Sequence, residues 1–81
     1  MDYNELGRII RNRRNFLDLK QADVASGANV TNTFLSNIEN GKANVIDIGK
    51  LYAICVYLDL DFSIFVRQIS QNKQDRIVGE L

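Results

Sequence analysis

Hydrophobic residues recur at helical spacing along most of the chain, which predicts a succession of helices. A first helix over about residues 3–16 is predicted by Leu6, Ile9, Ile10, Phe16 and Leu17. A short second helix over about residues 21–26 is expected to bury Ala22, Val24 and Ala25. The run Gly27-Ala28-Asn29 ends it, because glycine and asparagine accept the left-handed backbone conformation that follows many helices.

Capping residues mark the ends of the next two predicted helices. The third helix is expected to begin after Thr31, whose hydroxyl can accept a backbone N–H, and to end at Asn40-Gly41. Its inward positions are Val30, Phe34, Leu35 and Ile38. A fourth helix is predicted from about Asp47, another good N-cap, to about Leu58. Its inner stripe is Ile48, Leu51, Cys55 and Leu58, and its other faces are also apolar, which predicts burial on two sides.

The segment after the fourth helix fits two structures. Residues 58–66 alternate between apolar and polar side chains, which is typical of a strand. Asp61, however, can cap a helix with an apolar stripe at the i, i+3, i+4 and i+7 positions Phe62, Phe65, Val66 and Ile69. The stripe continues where the alternation fails, so we predict an all-α fold of five helices. The alternative is four helices plus a strand that pairs across a dimer.

The outer face of the third predicted helix is polar but uncharged. Its side chains are Asn32, Thr33, Ser36, Asn37 and Asn40. Charged groups bind phosphate at any sequence, whereas amides and hydroxyls can form hydrogen bonds with base edges in the major groove of DNA. The face therefore indicates either DNA recognition or an asparagine-rich surface in contact with water only.

Composition limits the classes of function. The 81 residues fit one domain, which we place at residues 1–70 with a tail at 71–81. A net charge of zero and a pI of about 6.1 argue against a strongly basic nucleic-acid binder. The charge is nevertheless uneven, because RIIRNRR at residues 8–14 holds four arginines and no acid.

Disulfide frameworks, zinc ligand sets and catalytic groups built on histidine are excluded within one chain, which has one cysteine and no histidine. Cys55 lies in the apolar run YAICVYL and is expected to be a buried hydrophobic residue rather than a nucleophile. We therefore predict a protein that is not an enzyme and needs no cofactor. No apolar run approaches the ~20 residues of a membrane span, and the polar N-terminus is unlike a signal peptide. The expected location is the cytoplasm.

Residues 19–41 resemble the Cro/repressor-type (XRE) helix-turn-helix family. The family pattern L-T-Q-x-x-L-A-x-x-x-G-V-S-x-x-x-I-S-x-x-E-x-G fits without gaps, and the resemblance extends over about residues 6–66. The matching positions are Leu19, Gln21, Val24, Ala25, Val30, Leu35, Ser36, Glu39 and Gly41. Three positions depart from the pattern: Lys20 replaces a capping threonine, Asn29 replaces the turn glycine, and Arg13 replaces an apolar residue.

The resemblance implies a role for each group of residues. The third helix would be the recognition helix, with Asn32, Thr33, Ser36 and Asn37 against base edges. The expected phosphate contacts come from Gln21, Asn40, Lys42 and Arg11, with Arg8 and Arg13 as further candidates. Gln21 would also support the start of the recognition helix. Glu39, a carboxylate at a helix C-terminus where it opposes the helix dipole, would form a partly buried ion pair with Arg14.

The function that follows is transcriptional regulation by a homodimer bound to a palindrome in double-stranded DNA, near its own promoter. The chain is most similar to controller proteins of restriction-modification systems and to antitoxin-type repressors. An expected dimer interface consists of Tyr57, Phe62, Phe65, Val66 and Ile69, which exceed what one small core can bury. The alternative function is a protein-interaction module that sequesters a toxin, and a strand at residues 58–66 would favour it.

Overall fold

The part of the chain that the structure describes forms a bundle of five helices, as the sequence predicted. The computed structural model describes residues 3–43 and 45–66. It contains α1 (Tyr3–Phe16), α2 (Gln21–Ala28), α3 (Asn32–Glu39), α4 (Ile48–Tyr57) and the first residues of α5, at 63–66. Helix α1 packs against α3, and α2 packs against both α3 and α4. The predicted tail at 71–81 lies outside the described residues.

The strand alternative for residues 58–66 is wrong. Asp59 has φ 55°, which breaks an extended chain directly after α4. The Asp61 carboxylate then accepts the Ser63 backbone N–H at 2.9 Å, and residues 63–66 are helical. Hydrogen bonds from the Ser63 hydroxyl and backbone lower the pKa of this exposed carboxyl. Phe65 is 1% exposed and belongs to the core. An alternating strand would instead place Phe65 on the face opposite to its apolar positions.

The helix ends agree with the predicted capping residues. The Thr31 hydroxyl accepts the Phe34 N–H at 3.0 Å, and the Asp47 carboxylate accepts the Lys50 N–H at 3.3 Å. Asn29 and Gly41 both have positive φ, of 58° and 69°. These contacts are local in sequence, so the sequence alone was sufficient to place them.

Helix α2 begins without a side-chain acceptor at its N-cap, because the Lys20 ammonium can only donate. Asp23, three residues into the helix, compensates by accepting the Lys20 backbone N–H at 3.0 Å. This is one half of a capping box, and it also places a carboxylate in the first turn, where the helix dipole favours it.

The core contains hydrophobic side chains from all five helices and from the connections on either side of α4. Its buried members are Leu6, Ile10, Val24, Ala25, Ala28, Leu35, Ile38, Ile46, Ile48, Leu51, Ile54, Cys55, Leu58 and Phe65. Cys55 is fully buried, as predicted, and burial raises the pKa of its thiol to about 12. The thiolate that a nucleophile requires is therefore not formed at neutral pH.

Three apolar positions of the first two predicted helices are exposed, and one of them, Ala22, was expected to be buried. Phe16 is 78% exposed and Leu17 is also exposed, because α1 ends there and the chain turns away at Asp18, which has φ 58°. Ala22 faces solvent because the inner face of α2 is formed by Val24, Ala25 and Ala28. On α4, likewise, the predicted burial on two sides is not found within one chain, where Val56 and Tyr57 remain exposed.

Helices α1 and α3 approach each other closely at Gly7. A Cβ atom at this position would overlap the Ile38 carbonyl oxygen and lie 2.9 Å from that of Glu39. Both neighbours are backbone atoms, so relief would require the two helices to separate. The last turn of α3 is thereby seated directly on α1.

Gly7→Ala is expected to lower the free energy of unfolding by about 1–3 kcal/mol, the usual effect of overpacking a tight contact. Without the overlap, alanine would stabilise the helix by roughly 0.5–1 kcal/mol. Urea denaturation measures the change, with the exposed α1 substitution Asn12→Ala as a control that is expected to be neutral or slightly stabilising. A Gly7→Ala variant more stable than the parent would show that α1 and α3 are not in this contact.

Candidate nucleic-acid interface

Helix α3 exposes the uncharged polar face that the sequence predicted. Asn32, Thr33 and Asn37 are exposed, and Ser36 is half-buried between them. Within residues 3–43 and 45–66, no hydrogen bond engages the side chains of Asn32, Thr33 or Asn37. Their amide and hydroxyl groups are therefore available to an external partner with donors and acceptors of its own.

The C-terminal end of α3 is held by the carboxylate of Glu39, whose side chain is fully buried. Arg14 donates to it twice, from Nε to Oε2 at 2.7 Å and from Nη2 to Oε1 at 2.9 Å. Gln21 donates from Nε2 to Oε1 at 3.1 Å, and the Arg11 guanidinium lies 3.8 Å from the same oxygen. One carboxylate thus joins α1, the start of α2 and the end of α3.

Arg14 extends this network to the connection between α1 and α2. Its Nη1 donates to the Leu19 carbonyl oxygen at 2.9 Å. The hydrogen bond with Glu39 raises the pKa of the guanidinium, against the smaller opposing effect of burial. Arg14 is therefore fully charged at physiological pH, as a bidentate pair with a buried carboxylate requires.

Gln21 lies in the place expected of a residue that supports the recognition helix. Its amide nitrogen is engaged by Glu39, and its side chain is half-buried at the first position of α2. A phosphate contact from this residue would have to use its other polar groups, including the backbone N–H at the helix N-terminus. That contact stays a prediction.

The four arginines of the RIIRNRR run all have partners within the chain. Arg8 pairs with Glu5 at 2.6 Å, and Arg13 donates from Nε to the Leu58 carbonyl oxygen at 2.8 Å at the end of α4. The Arg13 guanidinium also lies 5.4 Å from the centre of the exposed Phe16 ring. Each arginine of the run therefore has a contact within the chain, and the bond to Leu58 shows how this chain accommodates arginine at position 13.

Arg11 reaches the polar face of α3 directly. Its Nη2 donates to the Glu39 carbonyl oxygen and to Asn40 Oδ1, both at 2.8 Å. Asn40 in turn donates from Nδ2 to Ser36 Oγ at 3.3 Å. Sequence analysis missed this chain of contacts, although the i, i+4 spacing of Ser36 and Asn40 on one helix was a usable signal.

The residues predicted to contact phosphate differ in the exposure of their side chains and in the hydrogen bonds that they already make. The Arg11 side chain is 44% exposed despite its internal bonds, and Lys42 is exposed just beyond α3. Asn40 is exposed and keeps one amide hydrogen beyond the bond to Ser36. Phosphate binding by these residues remains a proposal.

The expected dimer interface needs correction. Phe65 is 1% exposed in the single chain and so cannot form part of a surface, because it packs into the core beside Phe62. Phe62 is half-buried with its ring edge-on to Tyr52 at 5.3 Å, and Ile69 lies outside the described residues. Tyr57 is exposed, although part of its ring covers Gly27.

Exposed apolar side chains do occur on α4 and α5, and only Tyr57 and Val66 among them belong to the predicted interface. We call this set the α4–α5 patch, and its members are Tyr52, Val56, Tyr57, Ile64 and Val66. Three of these residues, Tyr52, Val56 and Tyr57, also line a shallow groove of about 350 Å³ together with the end of α2. Val56 is 60% exposed, the largest fraction in the patch.

The described residues offer neither a metal site nor a membrane span. Among the described residues, no group of three or more cysteine, aspartate or glutamate side chains is placed to hold a metal ion. The described helices are also too short and too polar for any of them to traverse a lipid bilayer.

Comparison with known proteins agrees with the geometry of α2 and α3. A family model described as a helix-turn-helix domain matches residues 7–73. The ImmF control region 10 kDa protein of Bacillus phage phi105 is 28% identical over 83 residues, which cover 98% of this chain and 91% of that protein. The matched region includes all of the contacts to Glu39 and the whole polar face of α3.

Proposed function

This chain belongs to the helix-turn-helix domain family of DNA-binding regulators, and we propose that it acts as a homodimer on a palindromic operator near its own promoter. The name of the phage relative, a control region protein, supports a role in regulating transcription.

The observation that carries the proposal is the contrast between the two sides of α3. Its inner end is fixed by a fully buried carboxylate with partners on α1 and α2, whereas Asn32, Thr33 and Asn37 on its outer face have no partner among the described residues. Amides can make two hydrogen bonds with adenine N6 and N7, and threonine can contact the thymine methyl group. A rigid helix with such a face fits the major groove.

The α4–α5 patch supports the homodimer. An exposed apolar surface of this kind usually marks an interface, and two-fold symmetry is the commonest arrangement for identical chains. Pairing through it would place one recognition helix on each side of the symmetry axis. Two such helices about 34 Å apart would enter successive major grooves on one side of the duplex.

Val56→Glu is expected to convert the dimer to a monomer, because it places a charge at the most exposed apolar position of the patch. Sedimentation velocity at micromolar concentration measures the change, and Leu17→Glu, on an exposed apolar residue outside the patch, is the control that should remain dimeric. Binding of Val56→Glu to a duplex with two half-sites should fall to the level of a single half-site. A parent protein that is monomeric at high micromolar concentration, with and without DNA, would contradict the homodimer.

Autoregulation is tested separately by DNase footprinting. The parent should protect a palindrome within the promoter upstream of its own gene. Protection of no site there would place the operator elsewhere and leave DNA binding itself intact.

The toxin-sequestering alternative has lost the feature that would have favoured it. An intersubunit strand at residues 58–66 would have favoured that alternative, and this segment instead contains a turn and the start of α5. DNA regulation is therefore the better supported function.

A further inference from the structure

A directed chain of hydrogen bonds runs from α1 to the outer face of α3. Arg11 Nη2 donates to Asn40 Oδ1 at 2.8 Å, and Asn40 Nδ2 donates to Ser36 Oγ at 3.3 Å. The direction is fixed at its start, because a guanidinium has only donors and so requires the carbonyl side of the Asn40 amide. The amino side must then face Ser36.

Arg11 is itself well anchored, so the direction does not depend on a loose side chain. The same Nη2 donates to the Glu39 carbonyl oxygen at 2.8 Å, at the end of α3. The guanidinium also lies 3.8 Å from the buried Glu39 carboxylate. A 180° flip of the Asn40 amide would place its NH2 group against this fixed cation and is therefore disfavoured.

The direction of these hydrogen bonds determines where the hydrogen of the Ser36 hydroxyl points. Its oxygen accepts from Asn40, so its one hydrogen must point away from Asn40, and an O–H group that accepts a hydrogen bond becomes a stronger donor. Within the described residues this hydrogen has no acceptor. Ser36 lies on the outer face between Thr33 and Asn37, where a bound partner would approach.

We propose that Ser36 is a specificity-determining residue that donates to a base carrying an acceptor at its major-groove edge, and that Arg11 and Asn40 position its hydroxyl. This inference rests on the proposed function. Guanine and adenine offer N7, guanine also offers O6, and thymine offers O4, whereas cytosine offers only its N4 amino group. Cytosine is therefore the least favoured base opposite Ser36.

The substitution Asn40→Asp should reverse the direction of the hydrogen bond between positions 40 and 36. A carboxylate at position 40 still accepts from Arg11, but toward Ser36 it can only accept, so the Ser36 hydrogen turns inward and both of its lone pairs remain for the DNA. The variant should then favour a donor, and cytosine should rise in rank at that one position. Asn40→Ala removes the constraint and should give an intermediate ranking.

The test is enrichment of bound duplexes from a pool with randomised sequence, performed with the full-length parent and each variant. Ser36→Ala identifies the base position concerned, since preference should flatten there and persist elsewhere. In the parent, cytosine at that position should bind about 3- to 10-fold more weakly than the best base, the usual range for one hydrogen bond. In Asn40→Asp this ratio should disappear or invert, while uniformly weaker binding from the added negative charge leaves the ratio unaffected.

A chemical substitution tests the parent without any change in fold. If the favoured base is a purine, replacing its N7 by carbon should weaken parent binding by about 3- to 10-fold and leave Ser36→Ala unchanged. If it is thymine, replacing O4 by hydrogen should do the same. Equal losses in parent and Ser36→Ala would overturn the proposal.

The outcomes separate this inference from the proposed function. A parent that enriches no sequence contradicts sequence-specific DNA binding and the inference with it. A parent that enriches a site contradicts only the inference if Ser36→Ala changes no position, if cytosine is the favoured base there, or if Asn40→Asp keeps the parental ranking.

Discussion

Glu39→Ala is expected to lower the free energy of unfolding by about 3–5 kcal/mol, because it leaves the half-buried Arg14 guanidinium without its partner. The same substitution removes the acceptor of the Gln21 amide. A domain of 81 residues has roughly 4–12 kcal/mol of stability in total. The variant should therefore unfold at much lower urea concentration than the parent, or be unfolded without urea.

A second ion pair provides the matched control. Asp59 lies 3.9 Å from Arg13, and its side chain is 98% exposed. Glu39→Gln and Asp59→Asn make the same chemical change, and asparagine tolerates the positive φ at position 59. Asp59→Asn should change stability by less than about 1 kcal/mol, whereas Glu39→Gln should cost several times as much. Equal urea midpoints for these two variants would mean that Glu39 does not hold α3 in place.

The sequence predicted most helix ends because their determinants are local, although α2 continues to Ala28, past the predicted end at about residue 26. Thr31 and Asp47 bond to N–H groups three residues later, and Asn29 and Gly41 supply backbone conformations at their own positions. The short pattern around Glu39 was sufficient to name Arg14 as its partner, but only through resemblance to a family. No spacing rule connects residues 25 positions apart.

The internal contacts of the arginines could not be predicted from the sequence. Arg11 and Arg13 were named as candidates for phosphate contact, which stays a prediction, and each also donates to a carbonyl oxygen at the end of a helix that is 28 or 45 residues away in sequence. A cluster of basic residues has the same composition whether it faces DNA or caps helices. Only the packing of α1 against the ends of α3 and α4 distinguishes the two.

The exposed and buried apolar residues were hard to separate for a similar reason. Phe16 and Phe65 both lie at helical spacing in apolar segments, yet Phe16 is exposed and Phe65 is in the core. Whether each ring is exposed or buried depends on where α1 ends and on how the chain turns at Asp59 before α5. A residue's periodicity predicts which side of a helix it occupies, not whether another helix covers that side.

Asn37→Ala is expected to weaken binding to the preferred duplex by about 1–3 kcal/mol, or roughly 5- to 150-fold, if its amide makes a bidentate base contact. Asn37 is exposed and has no hydrogen bond among the described residues, so the variant should unfold like the parent. Loss of a base contact should also relax preference at one position of the site, because phosphate contacts carry no sequence information.

Binding titrations of Asn37→Ala against the preferred palindrome and a scrambled duplex test most directly whether the outer face of α3 recognises bases. Asn12→Ala, which removes an exposed amide from α1, is the matched control and should bind both duplexes like the parent. The prediction is that Asn37→Ala binds the palindrome about 5- to 150-fold more weakly and the scrambled duplex as before. If Asn37→Ala weakens binding to both duplexes equally, or to neither, the polar face of α3 does not recognise bases.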